Sequence, residues 1–219
     1  MSFARVAIIG LGLLGGSIGL AVSAYLPGTA TAGYDRDPAT RRRAAERGLV
    51  GTVYDSAADA VREADLVIFC VPPGAMGEAA REIAEALPEA CLVSDVGSCK
   101  QSIAEALAEA LPGRAIIPAH PVAGTENSGP DAGFASLFRN RWCIITPPEN
   151  ANLLLLSRLS AFWEALGANV EVMDARHHDL VLAVTSHLPH LIAYTIVGTA
   201  SDLEDVTQSE VIKYSAGGF

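Results

Sequence analysis

The segment RVAIIGLGLLGGSIGLA, beginning at residue 5, leaves this chain few architectures to choose from. Apolar residues run without polar alternation up to a glycine, the pattern of a strand buried on both faces of a parallel sheet. Gly10, Gly12 and Gly15 then fall in the spacing GxGxxG, and helix-forming residues follow at once. In a strand–turn–helix context each glycine has a physical task. The first makes the tight turn, the second lets a pyrophosphate reach the backbone, and the third lets helix and strand pack closely. The helix start at Leu13 and Leu14 adds free N–H groups and partial positive charge for an anion.

The rest of the pattern extends this unit. TATAGYD (29–35) reads as a second strand, and Asp35 at its end lies twenty residues past Gly15. A carboxylate there accepts from ribose hydroxyls and repels a 2′-phosphate, which favours NAD; Arg36 next to it leaves NADP as the alternative. The most apolar strand is ADLVIFCVP (64–72). Ligands of doubly wound sheets sit at the carboxyl ends of strands, so Cys70, Val71 and Pro72 are expected to touch the cofactor, largely through backbone. CLVSDVG, AIIPAHP, WCIITP and NVEVM continue the series to about eight strands, most followed by a helix. After Met173 the strands stop and a helical stretch follows, with a break expected near Pro189. The expected fold is α/β: a Rossmann-type, doubly wound, mostly parallel sheet over residues 1–173, followed by an all-helical region over 174–219.

Charge excludes some functions. The formal net charge is −10, and Lys100 and Lys213 are the only lysines. A nucleic-acid partner would need a basic face; the one basic run, TRRRAAER (40–47), reads as a solvated helix face. Cys70, Cys91, Cys99 and Cys143 form no CxxC pair, which fits reduced thiols in a cytoplasmic protein rather than zinc or a redox motif. Apolar runs are interrupted by Gly or Pro short of a membrane span, so no membrane partner is expected. The apolar helical residues 180–197 exceed what a small domain can cover by itself, and a homodimer is expected there.

The chemistry-bearing residues cluster at strand ends. Ser98 begins a helix, with Gln101 three residues on as in a capping box, and its hydroxyl can also face the crevice. Lys100 lies in the first turn of that helix, where a cation is mildly disfavoured and a nearby anion is expected; Asp95 reads equally as a loop residue and as a ligand. His120 ends a strand and opens HPVAGTE, which contains Thr125 and Glu126. An imidazole with an ordinary pKa of ~6.5, set at a strand end beside a dinucleotide, suits a general base. His187 and His190 lie three apart on one helical face if the helix continues. With His177 and His178 near them a metal is conceivable, but no HExxH pattern or acidic ligand is suitably spaced, and no metal is expected.

In this order, IIGLGLLGGSIGLA, DVGSCK, HPVAGTENSGP and SHLPHLIAY resemble the prephenate and arogenate dehydrogenases, the cyclohexadienyl dehydrogenase family of tyrosine biosynthesis. The resemblance spans nearly the whole chain. It implies NAD(P)-dependent oxidative decarboxylation of a small cyclohexadienyl substrate. His120 would accept the ring hydroxyl proton, Ser98 would hydrogen-bond that hydroxyl, and Thr125, Glu126 and His187 would line the substrate pocket. It also implies a helical second domain that dimerises. In the family an arginine-bearing segment and further dimer helices follow a glycine-phenylalanine like the terminal one here, so 174–219 is expected to be only the start of that domain. Two other readings are a β-hydroxyacid or 6-phosphogluconate-type dehydrogenase, which would need a catalytic lysine, and a non-catalytic cofactor-binding dimer module.

Overall fold

The computed structural model describes residues 3–207, so Lys213 and the terminal SAGGF lie outside the described residues. The chain forms two compact units, Met1–His178 and Asp179–Phe219. The first opens with β1 (Arg5–Ile9), α1 (Leu13–Tyr25), β2 (Ala30–Tyr34), α2 (Pro38–Glu46), β3 (Thr52–Val53), α3 (Ala57–Val61) and β4 (Leu66–Phe69). It continues with α4 (Met76–Ile83), β5 (Leu92–Asp95), α5 (Lys100–Ala110), β6 (Ala115–Ile116), β7 (Ala119–Pro121), β8 (Trp142–Ile145), α6 (Leu153–Ala165) and β9 (Asn169–Val172).

Strands β1 to β6 build one parallel sheet in the order β3-β2-β1-β4-β5-β6. Alternate residues of the central strands feed two cores. Val6, Ile8, Leu66 and Ile68 join Trp163, Phe138 and α1 on one face. Ala7, Ile9, Val67 and Phe69 join α3, α4 and α5 on the other. Each large side chain so buried contributes about 1.5–3 kcal/mol. That layering explains why α3, only five residues long, holds at all: Ala57, Ala60 and Val61 are buried against the sheet, whereas an isolated helix of that length would not form.

The sequence pattern suggested one sheet, and the structure divides it. AIIPAHP is two short strands in two sheets. Its first half, β6, pairs with β5, while β7 pairs antiparallel with β8, which in turn pairs parallel with β9. Pro118 sits at the break. It has no N–H to continue a parallel ladder, and its carbonyl instead accepts from Thr146 N–H at 2.9 Å.

The basic run also departs from expectation. It is not simply solvated. Arg43 pairs with Asp131 at 2.7 Å, Arg47 donates to the carbonyls of Pro130 and Gly133, and Arg41 pairs with Asp55 at 3.2 Å. The Arg43 and Arg47 bonds tie the end of α2 to the loop after β7, and the Arg41 bond ties α2 to the segment between β3 and α3. Phe134 N–H donates to the Ser17 hydroxyl at 3.1 Å, docking the same loop on α1.

Beyond β9 the chain is helical: α7 (Ala175–Leu182), a π-helical turn (Ala183–His187) and α8 (Leu188–Thr207). The expected break near Pro189 is absent. A proline lacks the N–H of an α-helical bond and its ring crowds the preceding turn, and the wider π turn just before it relieves that conflict. Residues Ala175–Leu203 are therefore long and apolar enough to cross a membrane by length and composition, contrary to the expected interruption. In the second unit Leu180, Val184, Leu191, Ile192 and Tyr194 are exposed.

Candidate active site

The register of the parallel sheet aligns one edge. Tyr34 pairs with Ile9, Ile9 with Phe69, and Phe69 with Asp95. The next residues, Asp35, Gly10, Cys70 and Val96, therefore leave the sheet side by side at its carboxyl edge. Between β1 and β4 the strand order reverses, and this is where an open α/β sheet forms its ligand crevice.

The glycine loop meets its steric demands. Gly10 has φ +101°, a conformation that L side chains rarely adopt. A Cβ on Gly15 would lie 1.9 Å from the Gly10 carbonyl oxygen, so β1 and α1 can approach this closely only with glycine there. A Cβ on Gly12 would meet nothing within 4 Å, which leaves open space over the helix start. Gly12 is the N-cap of α1 and no side chain caps that helix. Its first N–H groups are the donors a pyrophosphate requires.

Two cavities share this edge. One, of about 340 Å³, is lined by Gly10, Gly12, Asp35, Arg36, Glu78 and Glu82. Asp35 accepts from Leu11 N–H at 2.8 Å and from Asp37 N–H at 3.0 Å, which fixes the carboxylate while each oxygen keeps a lone pair for a ribose hydroxyl. Arg41 donates to the Asp35 carbonyl at 2.8 Å. Tyr34 also lines this cavity, and burial, then Glu82, pushes its phenol up, so it is a neutral group there. Three acids against Arg36 make this end unfavourable for an additional phosphate.

The second cavity, about 460 Å³, shares Gly12, Cys70, Val71 and Pro72 with the first and adds Leu13, Leu14, Ser98 and His120. All the expected cofactor residues of the glycine loop and of the β4 exit thus line one or both cavities, except Gly15, whose part is the close packing beneath them. Burial pushes the Cys70 thiol far up, so it is a neutral wall rather than a nucleophile.

Ser98 is not the helix cap that its spacing to Gln101 suggested. The N-cap of α5 is Cys99, with no side-chain cap, and the helix starts at Lys100. The loop follows another constraint: Gly97 N–H donates to Asp95 Oδ2 at 2.8 Å, and a Cβ on Gly97 would lie 2.3 Å from Ile103 Cδ1. The Ser98 hydroxyl has no hydrogen bond among the described residues, and Ser98 lines the second cavity.

Lys100 and Asp95 are both fully buried and paired. Lys100 Nζ also donates to the Ala119 carbonyl at 2.7 Å, and Ala119 N–H donates to Asp95 Oδ1 at 3.3 Å. The anion expected near Lys100 is thus Asp95. Burial pushes the Asp95 carboxyl up, and Lys100 with the two N–H groups pulls it back only in part.

His120 follows in β7, opposite Ile144, and is 8 % exposed. Its Nδ1 lies 2.9 Å from Nε2 of the fully buried His178. In the sequence His178 stands out only as a conceivable metal ligand near His187 and His190; the missing signal is spatial, since His120 and His178 are 58 positions apart. Among the described residues no group of His, Cys, Asp and Glu could hold a metal ion.

Thr125 and Glu126 are exposed and are not among the cavity-lining residues; Asn127, Ser128 and Gly129 are. Local turn bonding accounts for this. Asn127 N–H donates to the Thr125 hydroxyl at 3.2 Å, and the Asn127 amide donates to Glu126 at 3.3 Å. His187 lies in the second unit, on the π turn, with its Nε2 buried and without a hydrogen-bond partner among the described residues.

Comparison with known proteins gives the same picture from another direction. Residues 18–172 match the family described as prephenate dehydrogenase, nucleotide-binding domain, and residues 174–219 match prephenate dehydrogenase, dimerization domain. The chain is 45 % identical over 217 residues to a cyclohexadienyl dehydrogenase of Zymomonas mobilis, covering 99 % of this chain and 74 % of that protein. It is 32 % identical to a prephenate dehydrogenase of Bacillus subtilis, covering 98 % of this chain and 58 % of that one. A crystal structure of prephenate dehydrogenase from A. aeolicus, in complex with hydroxyphenyl propionate and NAD+, superposes with a TM-score of 0.90 at 30 % identity, covering all of this chain and 76 % of that one.

Proposed function

Because the chain belongs to the prephenate dehydrogenase family, we propose that it catalyses the NAD-dependent oxidative decarboxylation of prephenate, arogenate or both, in tyrosine biosynthesis. The products are 4-hydroxyphenylpyruvate and tyrosine respectively. The observation that carries this reading is that His120 and Ser98 open on the same cavity as Gly12 and the β4 exit. A proton acceptor and a hydride acceptor are thereby offered to one small substrate.

The residues present fit a dinucleotide. Gly10, Gly12 and Gly15 with the uncapped α1 receive the pyrophosphate, Leu13 and Leu14 form the start of that helix, and Asp35 takes the ribose hydroxyls. Bound NAD supplies the hydride acceptor. His120 takes the proton from the ring 4-hydroxyl through Nε2, while the hydride leaves C4. Ser98 holds the same oxygen. Loss of the ring carboxylate as CO2 then makes the ring aromatic. His120 removes the proton as C–O double-bond character develops, so its contribution belongs to the transition state rather than to binding. His187, whose buried Nε2 has no hydrogen-bond partner among the described residues, is assigned to the substrate. Thr125 and Glu126 contribute through the loop they shape around residues 127–129.

In this reading residues 1–173 form the dinucleotide-binding part, and 174–219 are the start of a substrate and dimerisation part. The exposed apolar face of α8 is covered by a second copy, in a cytoplasmic homodimer. A catalytic-lysine mechanism of the 6-phosphogluconate type is disfavoured because Lys100 is buried and committed to Asp95 and Ala119. NADH appearance measured with prephenate, arogenate and 6-phosphogluconate tests the assignment. Turnover of either cyclohexadienyl acid is expected; turnover of 6-phosphogluconate alone would overturn it.

A further inference from the structure

We propose that His178 is a positioning residue for His120, fixing the tautomer in which the base presents Nε2 to the crevice; the proposal rests on the reading of His120 as the proton acceptor. His120 Nδ1 and His178 Nε2 are 2.9 Å apart, with the rings edge-on at 73° and centroids 5.1 Å apart. Two ring nitrogens at that distance need one proton between them. With two protons the N–H groups would collide, and with none two lone pairs would face each other.

Which ring holds the shared proton decides whether His120 can work. If His178 donated, the lone pair of His120 would point at His178 and its Nε2 would carry hydrogen toward the crevice. That tautomer cannot accept a hydroxyl proton. If His120 donates through Nδ1–H, its Nε2 carries the lone pair that can accept from the substrate. After proton transfer His120 carries hydrogen on both nitrogens, the Nδ1–H bond to His178 is kept, and no rearrangement accompanies the step.

The local structure is built to hold His178 still. Asp174 Oδ1 accepts from His177 N–H at 2.8 Å and the Asp174 carbonyl accepts from His178 N–H at 3.0 Å, which locks the first turn of α7. His178 is completely buried whereas its neighbour His177 is exposed. On the other side the backbone of Ala119, next to His120, is held by Asp95 and Lys100. The base is thus fixed through its ring by one partner and through its chain by another.

Nitrogen-15 NMR of the neutral imidazoles, with His120 assigned through a His120→Asn comparison, reads the tautomer without any turnover. His120 is expected to be protonated at Nδ1. Protonation at Nε2 would overturn the proposal, whatever the variants do. His178→Phe keeps an aromatic body but has no acceptor. It is expected to lower kcat by roughly 10–10³-fold, less than the ~10⁴-fold seen when the orienting member of a hydrolytic triad is replaced. KM and the NAD dissociation constant should change little. His178→Gln, whose side-chain oxygen can accept, should recover a large part of the loss. Unchanged kcat in His178→Phe, or equal losses in the Phe and Gln variants, would also overturn the proposal. A parent enzyme that oxidises neither prephenate nor arogenate would instead sink the functional reading, while the NMR result would still decide the pairing.

Discussion

Lys100 and Asp95 form a fully buried ion pair whose two members hold opposite ends of one residue, Ala119. Such a pair stabilises little relative to an apolar replacement, but breaking it leaves an uncompensated charge. Lys100→Met should cost about 3–5 kcal/mol in urea unfolding, and Asp95→Asn combined with Lys100→Met should cost less than Lys100→Met alone. Without the ammonium, the upward push of burial on the Asp95 carboxyl is unopposed by charge. The folded variant then binds a proton that the unfolded chain releases, so its stability should fall as pH rises above the ordinary carboxylate range. A flat pH profile would show that Asp95 is not protonated there.

Asp35 should set cofactor choice. NAD is expected to bind more tightly than NADP, and Asp35→Ser should narrow the gap by removing repulsion of the 2′-phosphate. Titration of both cofactors by fluorescence checks this. Tighter NADP binding by the parent protein would hand the deciding role to Arg36.

For the base itself, His120→Asn keeps a polar side chain but cannot take the proton. The expected loss is about 10²–10⁴-fold in kcat with KM little changed. In the parent, kcat/KM should fall toward acid pH as the base becomes protonated, and that limb should vanish in the variant. Near-normal kcat at neutral pH would move attention to His187.

Assembly should depend on the second unit. Leu191 and Tyr194 are exposed on α8, and light scattering of the parent should give twice the mass of one chain. Leu191→Glu should shift the protein toward monomer, because a charge would be desolvated in the interface. A monomeric parent at micromolar concentration would argue against a dimer built on this face.

The parts of this architecture legible in the sequence were those encoded locally. Gly10, Gly12 and Gly15 announce a turn, and the apolar run before them announces a buried strand. Both signals lie within one short stretch, so no distant partner could overrule them. Pro118 was visible too, but whether a proline ends a strand or moves it to another sheet depends on what accepts the next N–H, and here that is Asp95, a residue 24 positions away. Ser98 shows the opposite failure. Its spacing to Gln101 was right for a cap, yet the Asp95–Gly97 bond and the tight contact at Gly97 delay the helix to Lys100. His178 could not be found from pattern at all, because nothing in HHDLVLA distinguishes the buried histidine from its exposed neighbour.

The π turn at Ala183–His187 also sets a phase. A turn that holds about one residue more than an α turn rotates everything after it by about 100° around the helix axis. The apolar stripe of α8 therefore faces where it does because of an apparent surplus residue upstream. Removing one residue from that turn would leave every side chain of α8 intact and its composition almost unchanged, yet aim Leu191 and Tyr194 in a different direction. The direction in which α8 presents its apolar residues is in this sense written as a count of residues, not as a choice of them.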